Sequence, residues 1–142
     1  MNIKRISALL LLVFCFSFAK AQSPIGTWKT VDDETGKAKS YVEIYKKGDK
    51  LYGKVVKLLD QRQDFKCSEC KGAKKDKLVL GMNIIWDMEK DGDEWEEGSI
   101  LDPKNGTTYS CKIWVDEDNP KELKVRGYVA FFFRTQTWYK IK

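Results

Sequence analysis

Eight short runs in which apolar and polar residues alternate, each ended by Gly, Asp, Asn or Pro, constrain this chain more than any other feature it has. They cover 25–30, 41–47, 51–58, 80–88, 94–101, 107–115, 122–133 and 135–141 and are rich in Val, Ile, Tyr, Phe, Trp and Thr. A period of two sends successive side chains to opposite faces, so each run reads as a β-strand with one buried face. Lys47-Gly48-Asp49 and Lys90-Asp91-Gly92-Asp93 each offer a glycine for the left-handed backbone of a tight hairpin. Asp102-Pro103-Lys104-Asn105-Gly106 and the polar stretch Asp116 to Pro120 are further turns. Short sequential connections favour antiparallel neighbours, and a meander of this length loses its vulnerable edges by closing on itself. The expected fold is all-β: a single up-and-down antiparallel β-barrel of about eight strands, with a two-sheet sandwich as the rival.

One connection breaks the rhythm. Leu59 to Val79 is polar, carries no clear strand signal and contains Cys67-Ser68-Glu69-Cys70. Loops of this length are commonly functional, so the segment is expected to act as a lid. Within the seventh run, Leu123, Val125, Gly127, Val129, Phe131 and Phe133 share one parity, and Lys124, Arg126, Tyr128, Ala130, Phe132 and Arg134 the other. Alternation alone does not decide which set faces inward.

Residues 1–21 read as a secretory signal, leaving 22–142 as the barrel domain. Lys4 and Arg5 form the basic start, Ile6 to Phe18 the apolar stretch, and Ala19-Lys20-Ala21 the small-residue cleavage site. A stretch of thirteen residues is too short for a helix rising about 1.5 Å per residue to span a bilayer, so no transmembrane segment is expected in the mature chain. Lipidation at Cys15 would want a small residue before it, and Phe14 stands there. Three of the 26 basic residues and none of the 21 acidic ones lie in the leader, so the formal charge of +5 belongs largely to the targeting signal. Nucleic acid is not an expected partner. The expected compartment is periplasmic or extracellular.

The chain has no histidine. That removes His-based acid–base chemistry, Ser-His-Asp and Cys-His nucleophiles, and most zinc sites. Cys67 and Cys70 read as a structural disulfide, permitted in an exported protein; the competing reading is a redox pair, though Lys71-Gly72-Ala73-Lys74-Lys75 lacks helix caps that would activate a thiol. Cys111 lies on the apolar parity of its run and reads as a buried free thiol, with pairing to a loop cysteine left open. Asp87 to Asp93 has calcium-loop spacing, but its twelfth position is Gly98 and its flanks are strands, so a solvated hairpin is expected. No carboxylate pair is set apart by apolar surroundings as glycoside hydrolysis would need. No catalytic residue, metal or cofactor is assigned.

Gly26-Thr27-Trp28 at the first strand of such a meander resembles the calycin group of lipocalins, fatty-acid-binding proteins and avidins. That resemblance implies that Trp28 closes one barrel end with a late arginine, Arg126 or Arg134, packed across it. The chain also resembles, over nearly all of 25–142, a bacterial exported family known as domain of unknown function 2147. The shared segments are Ile25-Gly26-Thr27-Trp28, Cys67-x-x-Cys70-Lys71-Gly72, Gly98 to Pro103 with Gly106 and Tyr109, Leu123-x-Val125-Arg126-Gly127-Tyr128 and Arg134 to Trp138. The family implies fold and export and no activity.

All five Trp and all six Tyr lie beyond residue 21, and such residues both fill cores and line cavities. Tyr41, Trp86, Arg126, Tyr128 and Trp138 are the expected ligand contacts, with Arg126 as charge anchor and Tyr128 and Trp86 as a stacking wall. Trp28 and Arg134 are the expected barrel-end closure. The expected function is an exported, non-catalytic binding protein for a small apolar or amphiphilic ligand. The alternative is an envelope protein–protein interaction module, and a thiol redox protein comes third.

Overall fold

The computed structural model describes residues 22–142; the expected leader lies outside them. Strands β1 (Gly26–Val31), β2 (Ala38–Lys47), β3 (Lys50–Leu58), β4 (Asn83–Asp91), β5 (Glu94–Asp102), β6 (Thr107–Val115), β7 (Glu122–Val129) and β8 (Phe132–Lys140) pair in chain order, and β8 returns to β1. Every pairing is antiparallel and the barrel is closed. It is a meander barrel and not a sandwich. Among the described residues no helix is long and apolar enough to cross a membrane.

The alternation becomes the inside–outside division. On β2, Ser40, Val42 and Ile44 are buried while Tyr41, Glu43 and Tyr45 between them are partly exposed. On β6 and β7 the buried set is Cys111, Ile113, Leu123 and Val125. Lys47↔Lys50 and Asp91↔Glu94 close two-residue hairpins in which Gly48 and Gly92 take φ of 61° and 59°, as tight hairpins require. The acidic 87–93 stretch is accordingly the end of β4 and its hairpin.

The expected single run 122–133 is two strands. Val129 pairs with Phe132 across a two-residue turn, Ala130-Phe131, with Ala130 at φ 50°. An alanine rarely adopts a left-handed backbone, so no glycine or asparagine advertised the bend. The turn also reverses the parity of the residues beyond it. Residues directly opposite share a face, so Phe132, Arg134, Gln136 and Trp138 go with Val129, Gly127, Val125 and Leu123.

The barrel's two ends differ. At the end holding the chain termini, Trp28, Ile44, Leu51, Met88, Ile113, Leu123 and Trp138 are essentially solvent-free and fill the interior. Gly26 takes φ 138°, and a Cβ there would collide with Lys140 and the Lys142 carbonyl, which explains the glycine two residues before Trp28. The seam between first and last strands is short: Trp28↔Lys140 and Lys29↔Tyr139, extended by bonds between Thr27 and the backbone of Ile141 and Lys142.

The 59–82 connection, the segment expected to act as a lid, is pinned at several points. Lys66 and Leu78 form an isolated antiparallel bridge, Val79 N donates to Phe65 O at 3.0 Å, and Cys67 N donates to Lys77 O at 2.8 Å. The Gln63 amide both donates to and accepts from the Leu58 backbone. Cys67 and Cys70 form the expected disulfide, and both are buried. With Val79 they join the core, and Phe65 packs against it.

Candidate functional site

Because large side chains fill only the terminal half of the barrel, the other half is open. A cavity of about 270 Å³ lies there, at the small end of the size that holds a compact organic ligand. Its floor is Trp138, Val125 and Val55, and its walls include Ile100, Tyr109 and Gly127. Gly127 matters by what it lacks: with no side chain it leaves Tyr109 and Ile100 facing open space. Leu58, Phe65 and Val79 bring the 59–82 connection into one wall.

Polar groups enter this lining at fixed points. The buried hydroxyls of Thr30 and Ser40 share a hydrogen bond of 2.8 Å. Gln136 accepts from the Trp138 indole at 3.0 Å, which orients both side chains. A charged rim surrounds the mouth. Arg134 reaches Asp33 through two guanidinium nitrogens and Glu34 through a third at 3.3 Å. That pairing holds the Asp33 carboxyl below the ordinary carboxylate range and raises Arg134. Lys39 lies between Asp32 and Asp60, at 3.7 and 3.9 Å. The rim therefore ties the β1–β2 turn to β8 and to the 59–82 connection.

Of the residues expected to contact a ligand, Trp138 lines the cavity and the other four do not. Arg126 lies outside, its guanidinium 5.0 Å from the Trp114 ring centre and 4.4 Å from that of Phe133, with Nε donating to Thr135 at 2.8 Å. Tyr128 stacks obliquely on Phe133. Tyr41 is opposite in parity to Val42 and carries Lys57 over its ring. Trp86 is covered by Lys74, whose ammonium sits 3.6 Å from the ring centre; burial holds that ammonium below the ordinary lysine range. For Tyr41, Arg126 and Tyr128 the cause is parity; on β4 the alternation breaks, Ile84 and Ile85 are both buried, and Trp86 packs against the core beneath Lys74.

The end closure is also reassigned in part. Trp28 is fully buried and its indole donates to Pro24 O at 2.8 Å. Lys140, not an arginine, lies across the ring at 4.7 Å. Arg134 is six residues before Lys140 on β8, roughly 20 Å along a strand, and so belongs to the opposite rim. Sequence reasoning missed Thr30, Ser40, Tyr109, Gly127, Gln136 and Phe132. Counting by twos from Trp28 and Val42 reaches Thr30 and Ser40; the others depended on placing the Ala130-Phe131 turn or on Gly127's missing side chain.

Cys111 is the free cysteine among the described residues, and burial pushes its thiol up to about 12. It is unpaired and far from the thiolate state that reactivity requires.

The sequence profile of a family described as "Uncharacterized protein conserved in bacteria (DUF2147)" matches residues 26–140, the whole barrel from first strand to last. The chain belongs to this DUF2147 family. No curated protein matches it significantly. A solved structure similar to this DUF2147 barrel is protein HP1028 from the human pathogen Helicobacter pylori, described as belonging to the lipocalin family. The two share 18% identity over 84% of each chain with a TM-score of 0.73. At that identity the likeness concerns fold, and it agrees with the closed eight-stranded topology of this family member.

Proposed function

We propose that this protein is an exported, non-catalytic binding protein that holds a small apolar or amphiphilic molecule in the open half of its barrel. The observation that carries the reading is the cavity itself: an apolar floor at Trp138, Val125 and Val55 beneath the Thr30–Ser40 hydroxyls, the Gln136 amide and a charged rim. An apolar site with a few fixed polar groups selects a ligand with a hydrocarbon body and one polar end. The lipocalin-like fold supports a binding role. Export is supported by the leader-like residues 1–21 and by the Cys67–Cys70 disulfide.

Native mass spectrometry of the protein purified from its own host tests the reading. The expected result is a mature chain beginning at Gln22 that carries one small molecule, lost on denaturation. A chain that persistently travels empty, from several growth conditions, overturns the carrier function.

A further inference from the structure

The surface around the mouth does something the cavity does not explain. Phe131 is 99% exposed, Phe132 79%, Phe133 58% and Val129 47%. Four apolar side chains thus stand in solvent at the tip of one hairpin, where burial would be worth most. The tip is convex and built on a two-residue turn. Its shape is that of a wedge rather than a flat patch.

Charge at this end leans positive once ion pairs are discounted. Asp32, Asp33, Glu34, Asp60 and Asp64 are all engaged by Lys39, Arg62 or Arg134. Among the described residues, Lys37, Lys66, Lys71, Lys77 and Lys104 make no salt bridge, against Glu69, Asp76 and Asp102; Lys74 and Lys75 make none either, but the first is held over Trp86 and the second donates to Ser68 O. Exposed Leu59 and Leu78 lie in the same basic segment. The opposite end leans the other way: among the described residues, Asp49, Asp87, Asp91, Asp93, Glu96, Glu97, Asp116, Glu117 and Asp118 make no salt bridge, against Lys46, Lys47, Lys90, Lys121, Lys140 and Lys142. A barrel polarised this way turns its open end toward a negative surface.

We propose that the open end docks on an anionic phospholipid bilayer, with Phe131 and Phe132 seated at the headgroup–acyl boundary and the unpaired lysines on the lipid phosphates. Aromatic side chains favour that boundary, with cations beside them at headgroup level. Arg126, held between Trp114 and Phe133 just behind the tip, is placed for the second role. Phe132 and Val129 also line the mouth, so docking would set the cavity opening against the lipid. The docking does not depend on what the cavity holds.

Co-sedimentation of the purified protein with vesicles tests this. Vesicles of phosphatidylcholine alone are compared with vesicles in which a quarter of the lipid is phosphatidylglycerol, at low and raised salt. Wild type should pellet with the anionic vesicles and less so as salt rises. Phe131→Ser should lower partitioning about tenfold, the loss expected from withdrawing much of one aromatic from an apolar setting. Phe131 is outside the cavity lining, so ligand occupancy and thermal midpoint should hold, which separates this test from that of the carrier function. Phe131→Trp should shift its emission to the blue on binding and be quenched by brominated acyl chains. A wild-type protein that stays in the supernatant, a Phe131→Ser variant that pellets like wild type, or a stoichiometric protein partner bound through Phe131 without vesicle binding overturns the proposal.

Discussion

Filling the cavity from its own wall is the sharpest perturbation available. Gly127 lies in the middle of β7 with a backbone that needs no glycine, and a Cβ there would meet Tyr109 Cβ at 3.4 Å and Ile100 Cγ2 at 3.9 Å, ordinary contacts. Replacing a mid-strand glycine stabilises by roughly 0.5–1 kcal/mol. Burying a leucine side chain is worth about 1.5–3 kcal/mol when complete, whereas forcing one into a packed core costs about 1–3 kcal/mol. With about 270 Å³ open in front of Gly127, the favourable terms win. Gly127→Leu should therefore stabilise the barrel by about 1–2 kcal/mol, since burial at this half-open site is partial. Urea unfolding followed by tryptophan fluorescence reads the stability, and calorimetric titration with octanoate reads the site. Octanoate affinity should fall at least about tenfold, a loss of about 1.4 kcal/mol. A destabilised variant would mean the wall has no room in front of it. Unchanged octanoate binding would place the ligand elsewhere on the molecule.

Trp28→Ala should cost about 3–5 kcal/mol, seen as a large drop in urea midpoint, because the fully buried indole also gives up its bond to Pro24 O. Cys111 links stability to alkaline pH: its thiol stays protonated in the fold up to about 12, while the unfolded thiol ionises near about 8.5. Its contribution is whole below the unfolded value and is lost as pH rises, at about 1.4 kcal/mol per pH unit; the stability profile of Cys111→Ala should lack that part of the slope. In the wild type the thiol should resist a maleimide until urea is added. Replacing Cys67 and Cys70 together by serine should cost less than the roughly 3 kcal/mol of a 15-residue loop, because the ring spans a separation of only three residues. Circular dichroism should keep its β signature while trypsin cuts faster between 62 and 78.

The fold was legible because period-two burial is a whole-chain signal: Val42 and Ile44 inward, Tyr41 and Tyr45 outward, repeated in strand after strand. Turns that follow glycine chemistry, at Gly48 and Gly92, were legible for the same reason. The site was less so, because it depended on absolute orientation rather than period. Arg126 and Tyr128 alternate with Val125 and Gly127 as well under either assignment. What decides for β7 is its pairing with β6, where buried Cys111 and Ile113 stand opposite Gly127 and Val125; for β8 it is the Ala130-Phe131 bend, made by a residue whose type says nothing about its φ of 50°. The cavity was hidden for a second reason: Gly127 and the small Thr30–Ser40 pair make it by being small, and sequence patterns draw the eye to large residues. Lys140 over Trp28 was missed because it is fixed by closure of the first strand on the last, which local spacing does not report.

The short seam sets how the barrel can breathe. Backbone ladder joins β1 to β8 only beside the termini; toward the mouth the two strands are bridged by Arg134 and Gln136 reaching Asp33. Parting them there disturbs solvent-facing side chains, at a cost on the order of 1 kcal/mol per exposed ion pair, and leaves the ladder intact. If the cavity takes the guest proposed for it, one longer than the resting hollow would enter sideways, like a letter through a slot, with its tail between two strands. The amides of Val31 and Thr135 should then exchange with deuterium well ahead of those of Val42 and Val125.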